Sequence, residues 1–243
     1  MTPLRRPWAR RLVAAGLLAT AALLSGCVYL RLLELKLQLG RFDEHFTLQT
    51  TDGLALICLH PVVRSGDVRW LGIKPESIQQ VGHAAQWRIR WVKQLPAGET
   101  EAVEYDIVVD LTFTDDRLTR LSIPERYFAV MPKDFLVGVV KSLGRGRVDA
   151  GGKRIEATVT AAAVAATRPR LPALHRLLGR PTETKTDGPR TTVRYRYVPA
   201  TKESAAGIFD MHLTFDTATG ELRRWQGFTP VGRIGFDFPA TTP

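Results

Sequence analysis

Two stretches, Trp87-Arg88-Ile89-Arg90-Trp91-Val92 and Val193-Arg194-Tyr195-Arg196-Tyr197-Val198, alternate large apolar and basic side chains with a period of two. Successive side chains of a strand point to opposite faces of a sheet. This pattern therefore specifies strands with one face on a core and one face in water. Trp87, Ile89 and Trp91 match Val193, Tyr195 and Tyr197 on the core face. Arg88, Arg90, Arg194 and Arg196 share the wet face and are candidate partner-binding residues, because aligned guanidinium groups can meet carboxylates or anionic lipid. The bland alternative is a solvated outer face.

The neighbourhoods of the two stretches also correspond. Leu71-Gly72-Ile73-Lys74-Pro75-Glu76-Ser77 precedes the first, and Leu178-Gly179-Arg180-Pro181-Thr182-Glu183-Thr184 precedes the second. Leu111-Thr112-Phe113 and Leu213-Thr214-Phe215 follow them, each with an acidic turn and then a strand at Leu118-Thr119-Arg120 or Leu222-Arg223-Arg224. The order is kept, and the offsets drift only from 107 to 102 residues. Such ordered self-similarity points to a duplication. In each copy Leu-Gly closes a short helix, Pro172 suits the first turn of the second one, and Pro181 bars its continuation. Hairpin turns at Thr114-Asp115-Asp116 and 216–220 join the last two strands.

The expected fold is α+β, with two related helix-plus-antiparallel-sheet units and an N-terminal β extension. Phe135, Leu136, Val139, Val140 and Leu143 fall at helical spacing, giving the second unit an additional first helix. The region before the first unit reads as strands at Leu32–Gly40, Glu44–Thr50 and Leu54–His60, without an equivalent helix. Within 148–166, Arg154–Val159 reads as strand and the alanines that follow stay open between helix and linker.

The N-terminus constrains location. Arg5, Arg6, Arg10 and Arg11 precede an apolar run from Leu12 to Leu24, which ends in Leu24-Ser25-Gly26-Cys27. This arrangement resembles a bacterial lipoprotein signal with its lipobox. The run is shorter than the roughly 20 residues a membrane-spanning helix needs. The resemblance implies cleavage before Cys27, acylation of that residue and anchorage in membrane lipid. Val28, in place of the Asp common in inner-membrane lipoproteins, implies the outer membrane, facing the periplasm. The expected organisation is a signal peptide over 1–26, a mostly β unit over 27–124 and an α+β unit over 125–243.

Four arginines and no acids leave with residues 1–26, so the formal charge falls from +10 to +6 over the remaining 217 residues. An exported protein is separated from nucleic acid, which is not an expected partner. With Cys27 acylated, Cys58 has no intrachain partner. It lies in the apolar run 54–59 and reads as a small buried side chain. The glycine-rich segment 146–154 lacks phosphate-loop spacing and places Arg154 where a metal-binding hydroxyl belongs. His45, His60, His83, His175 and His212 are scattered without zinc spacing. No Ser sits in a Gly-x-Ser-x-Gly elbow, and Asp115-Asp116 suits a turn better than a cation site. No catalytic residue, metal or cofactor is expected.

Leu178-Gly179-Arg180-Pro181, the strand Arg194-Tyr195-Arg196-Tyr197 and Leu213-Thr214-Phe215-Asp216 with Leu222 resemble the SmpA/OmlA family of outer-membrane lipoproteins over about 169–229. That resemblance implies two short helices on a three-stranded antiparallel sheet. The tandem arrangement is similar to secreted β-lactamase inhibitor proteins, whose sheet binds a partner protein. The expected function is therefore a lipid-anchored protein-binding or envelope-assembly module without catalysis, its partners being membrane lipid and an envelope protein. The alternative is a carrier or sensor of lipid or glycan, which would need a deep apolar cavity.

Overall fold

The computed structural model describes residues 28–49, 54–96, 99, 103–129, 133–149, 154–158, 168–201, 208–229 and 232–238. The fold is mixed α and β and dominated by strands. The helices are α1 (Val28–Gly40), α2 (Phe42–His45), α3 (Ser65–Trp70), α4 (Lys133–Arg145) and α5 (Leu171–Leu178). The strands are β1 (Phe46–Gln49), β2 (Leu54–Cys58), β3 (Ser77–Val81), β4 (Ala84–Gln94), β5 (Ile107–Thr114), β6 (Arg117–Ile123), β7 (Arg147–Asp149), β8 (Arg154–Thr158), β9 (Glu183–Asp187), β10 (Arg190–Pro199), β11 (Phe209–Asp216), β12 (Leu222–Thr229) and β13 (Gly232–Asp237). They form a single sheet in the order β1-β2-β6-β5-β4-β10-β11-β12-β13-β8-β7, with β3 and β9 as hairpin partners of β4 and β10. Among the described strands, only β13 and β8 pair in parallel.

Turn chemistry fixes the registers. Val81 pairs with Ala84 across Gly82 at φ 61°, and Asp187 pairs with Arg190 across Gly188 at φ 55°. Thr114 pairs with Arg117 across Asp115 and Asp116, both at positive φ, which is the two-residue turn matched to strand twist. At the longer turn after β11, the Asp216 carboxylate accepts the backbone N–H groups of Ala218 and Thr219.

The two halves of the sheet run in the same order outward from the middle. β4-β5-β6-β2-β1 faces β10-β11-β12-β8-β7, apart from β13, which lies between β12 and β8. The Glu76 N–H bonds the Arg88 carbonyl at 2.7 Å, and the Thr182 N–H bonds the Arg194 carbonyl at 2.7 Å. Register shifts fall between Thr112 and Phe113 and between Thr214 and Phe215. Isolated bridges join Arg64 to Arg117 and Arg170 to Glu221. At the centre Val92 pairs with Val198.

One face of the sheet carries the core. Tyr195, Tyr197, Phe113, Phe135, Phe215 and Phe236 are each at most 1% exposed, so aromatic side chains fill the layer between sheet and helices. Full burial of one such side chain contributes about 1.5–3 kcal/mol. Helix α4 contributes Phe135 and Val139, and α5 contributes Leu174, Leu177 and Leu178.

The expected strand at Leu32–Gly40 is instead the second part of helix α1. Leucines at 33, 35, 37 and 39 mimic a period of two. The residues between them (Glu34, Lys36, Gln38) are good helix formers, however, and no β-branched residue follows Val28 in the helix. The N-terminal extension is therefore not wholly β. A helix, α1, thus precedes β1 and β2, where strand and no helix were expected. Of the region read as strand over 44–50, Glu44 and His45 belong instead to α2 and Phe46–Gln49 form β1, while Thr50 lies outside the described residues. Of 148–166, only 148–149 and 154–158 are described, and both lie in strands.

Candidate functional site: the charged face of the sheet

Cys27 and the segment 1–26 lie outside the described residues. α1 starts at the next residue, Val28.

Alternation along β4 and β10 places Arg88, Arg90, Arg194 and Arg196 on the face opposite the aromatic core, and the structure pairs three of them with carboxylates. Arg88 forks onto Asp110, its register partner on β5, at 2.9 and 3.2 Å. Arg194 forks onto Asp210 on β11 at 2.8 and 2.6 Å, with Glu183 3.7 Å away. Arg90 donates to Glu76 at 2.6 Å and to buried Asp106 at 3.0 Å. Asp106 also accepts the Lys93 backbone N–H at 3.0 Å. Arg196 is exposed opposite Asp210 and, among the described residues, makes no ion pair.

These contacts keep both partners ionised. The hydrogen bond from Arg194, opposed by partial burial, holds Asp210 below the usual carboxylate range. Arg90 does the same for Glu76. Hydrogen bonds to Asp110, Glu76 and Asp210 push Arg88, Arg90 and Arg194, respectively, further up. The face is thus a mixed ladder of charges rather than a cationic array. A partner carboxylate would have to displace Asp110, Glu76 or Asp210 to fork onto the paired guanidinium groups, whereas Arg196 is already open. The hydroxyls of Thr192 and Thr214 meet at 3.1 Å beside this ladder. Such a surface suits a partner of alternating charge and hydrogen-bonding groups better than a polyanion.

Sequence reasoning missed two polar groupings. Lys93 continues the parity of Trp87, Ile89 and Trp91 and is therefore turned into the core, where it is 8% exposed. Its Nζ donates to the Leu178 carbonyl at the end of α5 and lies 5.2 Å from the Tyr105 ring centre and 5.6 Å from that of Tyr195. A cation at a helix C-terminus is favourable. Burial and the Lys93 charge push His175 down. His45 and His60 are 15 positions apart but meet where β1 and β2 begin to pair, with Nδ1 atoms 3.2 Å apart. One ring must donate and the other accept. The register of that hairpin was the signal that could have revealed this pair.

Asp116 accepts the Ser65 hydroxyl at 2.5 Å and its N–H at 3.3 Å. Burial raises the Cys58 thiol to about 11, so it stays protonated and weakly nucleophilic at neutral pH. Among the described residues, no group of three or more His, Cys, Asp or Glu side chains could hold a metal ion. The segment 150–153 of the glycine-rich loop lies outside the described residues. No protein-family model, curated protein or solved structure matches the chain.

Proposed function

We propose that this protein is a lipid-anchored module of the bacterial cell envelope, acylated at Cys27 and held on the periplasmic side of the outer membrane. It works there by binding a protein partner rather than by catalysis. The observation that carries this reading is the lipobox-like run Leu24-Ser25-Gly26-Cys27, which ends one residue before a helix fixed to α3 by Arg31 and Asp67 and to α4 by Lys36 and the Gly144 carbonyl. The aromatic filling of the core layer supports contact through the sheet over carriage of a ligand within it. On this reading, Arg196 and the ladder around Arg88, Arg90 and Arg194 form the contact face.

The same proposal treats the chain as a tandem of two related units similar to the SmpA/OmlA lipoproteins. Support comes from the order helix, two strands, helix, four strands, which recurs apart from the four-residue α2 in the first half and β13 in the second. It comes also from the matched register shifts and from the Val92–Val198 pair where the halves join. β13 is then an addition that separates β12 from β8, whereas β6 pairs directly with β2.

The test is photo-crosslinking in intact envelopes from single positions. A crosslinker replacing Arg196 or Gln86 on the charged face should yield one discrete envelope-protein adduct, and one replacing Gly66 on α3 should not. Equal labelling from all three positions, or none from any, would refute partner binding through this face.

A further inference from the structure

Helix α1 leaves an apolar stripe uncovered. Of its exposed residues Tyr29, Leu30, Leu33, Glu34 and Leu37, only Glu34 is charged. At 3.6 residues per turn, Tyr29, Leu33, Leu37 and Leu30 fall within an arc of about 100°, with Glu34 at its margin. Tyr29 is 67% exposed and Leu37 55%, so these side chains are not edges of the core. Trp70, at the end of α3 and 53% exposed, sets its ring edge-on to Tyr29 at 5.3 Å and widens the stripe. The polar side of α1 is committed inward. Arg31 forks onto buried Asp67 at 2.5 and 2.7 Å, which fixes α1 to α3 and keeps Tyr29 beside Trp70. Lys36 donates to the Gly144 carbonyl at 3.2 Å.

We propose that this stripe is a membrane-contact surface, so that α1 lies along the bilayer with Tyr29, Leu30, Leu33, Leu37 and Trp70 in the interfacial layer. The inference rests on the proposed acylation of Cys27. Acyl chains at Cys27 would bring the next residue, the start of α1, to the lipid surface. An apolar face beginning there meets lipid without further search. Thirteen residues of helix span about 20 Å, too short to cross the hydrocarbon, and no described helix is long and apolar enough to cross. A helix with one apolar face instead lies in the interface plane. Tyr and Trp are the side chains that settle at that depth. The contact does more than strengthen the anchor. Because α1 is locked to α3 and α4, it sets the orientation of the whole sheet relative to the membrane, and with it the direction in which the charged face presents Arg196.

The full-length protein purified from membranes is reconstituted into phosphatidylethanolamine vesicles containing phosphatidylcholine brominated along its acyl chains. Vesicle sedimentation and tryptophan fluorescence are then read together. Wild type should sediment and be quenched. Trp70→Phe should sediment with most of the quenching gone. The double variant Leu33→Asp/Leu37→Asp should sediment through its acyl chains but be quenched several-fold less, with unchanged circular dichroism. Sedimentation with no quenching of wild type would overturn the stripe's contact and leave the anchor standing. Protein remaining in the supernatant would defeat the anchor and this proposal together. A wild-type dimer that the double variant abolishes, with quenching the same in both, would assign the stripe to self-association and overturn the proposal.

Discussion

Gly40 and Gly144 offer an asymmetric test of how α1 is seated. The two helices meet backbone to backbone at these glycines. A Cβ on Gly40 would rest 3.7 Å from the carbonyl carbon and oxygen of Gly144, an ordinary contact. A Cβ on Gly144 would instead overlap the nitrogen and Cα of Gly40 and the carbonyl carbon of Leu39. Those atoms are backbone, so the strain cannot be relieved by turning a side chain. Overpacking costs about 1–3 kcal/mol, and rigid atoms on both sides place this case near 3 kcal/mol. Replacing glycine by alanine within a helix returns up to about 1 kcal/mol. Gly144→Ala should therefore lose about 2 kcal/mol, whereas Gly40→Ala should be neutral or gain slightly. In a chain of this size the former corresponds to a melting temperature about 4–8 °C lower. Separating the helices would also pull Lys36 from the Gly144 carbonyl and Lys141 from Asp43, now 3.2 and 2.6 Å apart. Denaturant titration and thermal melting of both purified variants give the comparison. Equal stability of the two, or greater stability of Gly144→Ala, would refute the close packing of α1 on α4.

Three further outcomes follow from single residues. Burial raises the Asp67 carboxyl, but hydrogen bonds from Arg31 and the Arg64 N–H, with their charges, outweigh it and leave the pKa below the ordinary value. The resulting stability is present above the unfolded-state pKa near 4 and is lost as pH falls through the lower folded-state value. Asp67→Asn should therefore cost about 3 kcal/mol at pH 7 and progressively less in acid, as shown by denaturation across pH 2–7. Gly227 lies at φ 156°, and an added Cβ would strike the Asp210 carbonyl oxygen across the β11–β12 pair. Gly227→Ala should lose about 3 kcal/mol in denaturant titration. Cys58, with its thiol at about 11, should react with iodoacetamide at pH 8 roughly a hundredfold more slowly in the native protein than in denaturant.

Short-range patterns made much of the fold legible. The alternation around Ile89 and Tyr195 assigned both central strands and their faces. The Asp115-Asp116 pair marked the hairpin that joins β5 to β6, whereas the tight turns at Gly82 and Gly188, and with them the short strands β3 and β9, went unrecognised. α1 was misread because its leucines satisfy both periods, and there the residues between them decide. β13 went unrecognised although Ile234, Phe236 and Phe238 alternate. Its neighbour β8 lies far back in the chain, and its parallel pairing depends on no local turn. The four arginines were placed on the correct face, but their partners were not foreseen. Asp110 and Asp210 meet Arg88 and Arg194 only through interstrand register, which is a tertiary property. Lys93 shows the converse, since parity alone sends it inward and the carbonyl of Leu178 makes that position tolerable.

The most direct test of anchorage is the intact mass of the mature protein extracted from envelopes of a bacterium that processes lipoproteins. The expected species begins at Cys27 and is heavier than the bare chain by a diacylglyceryl group and an amide-linked acyl chain. A species that retains residues 1–26, or one that begins elsewhere with no added lipid, would contradict it.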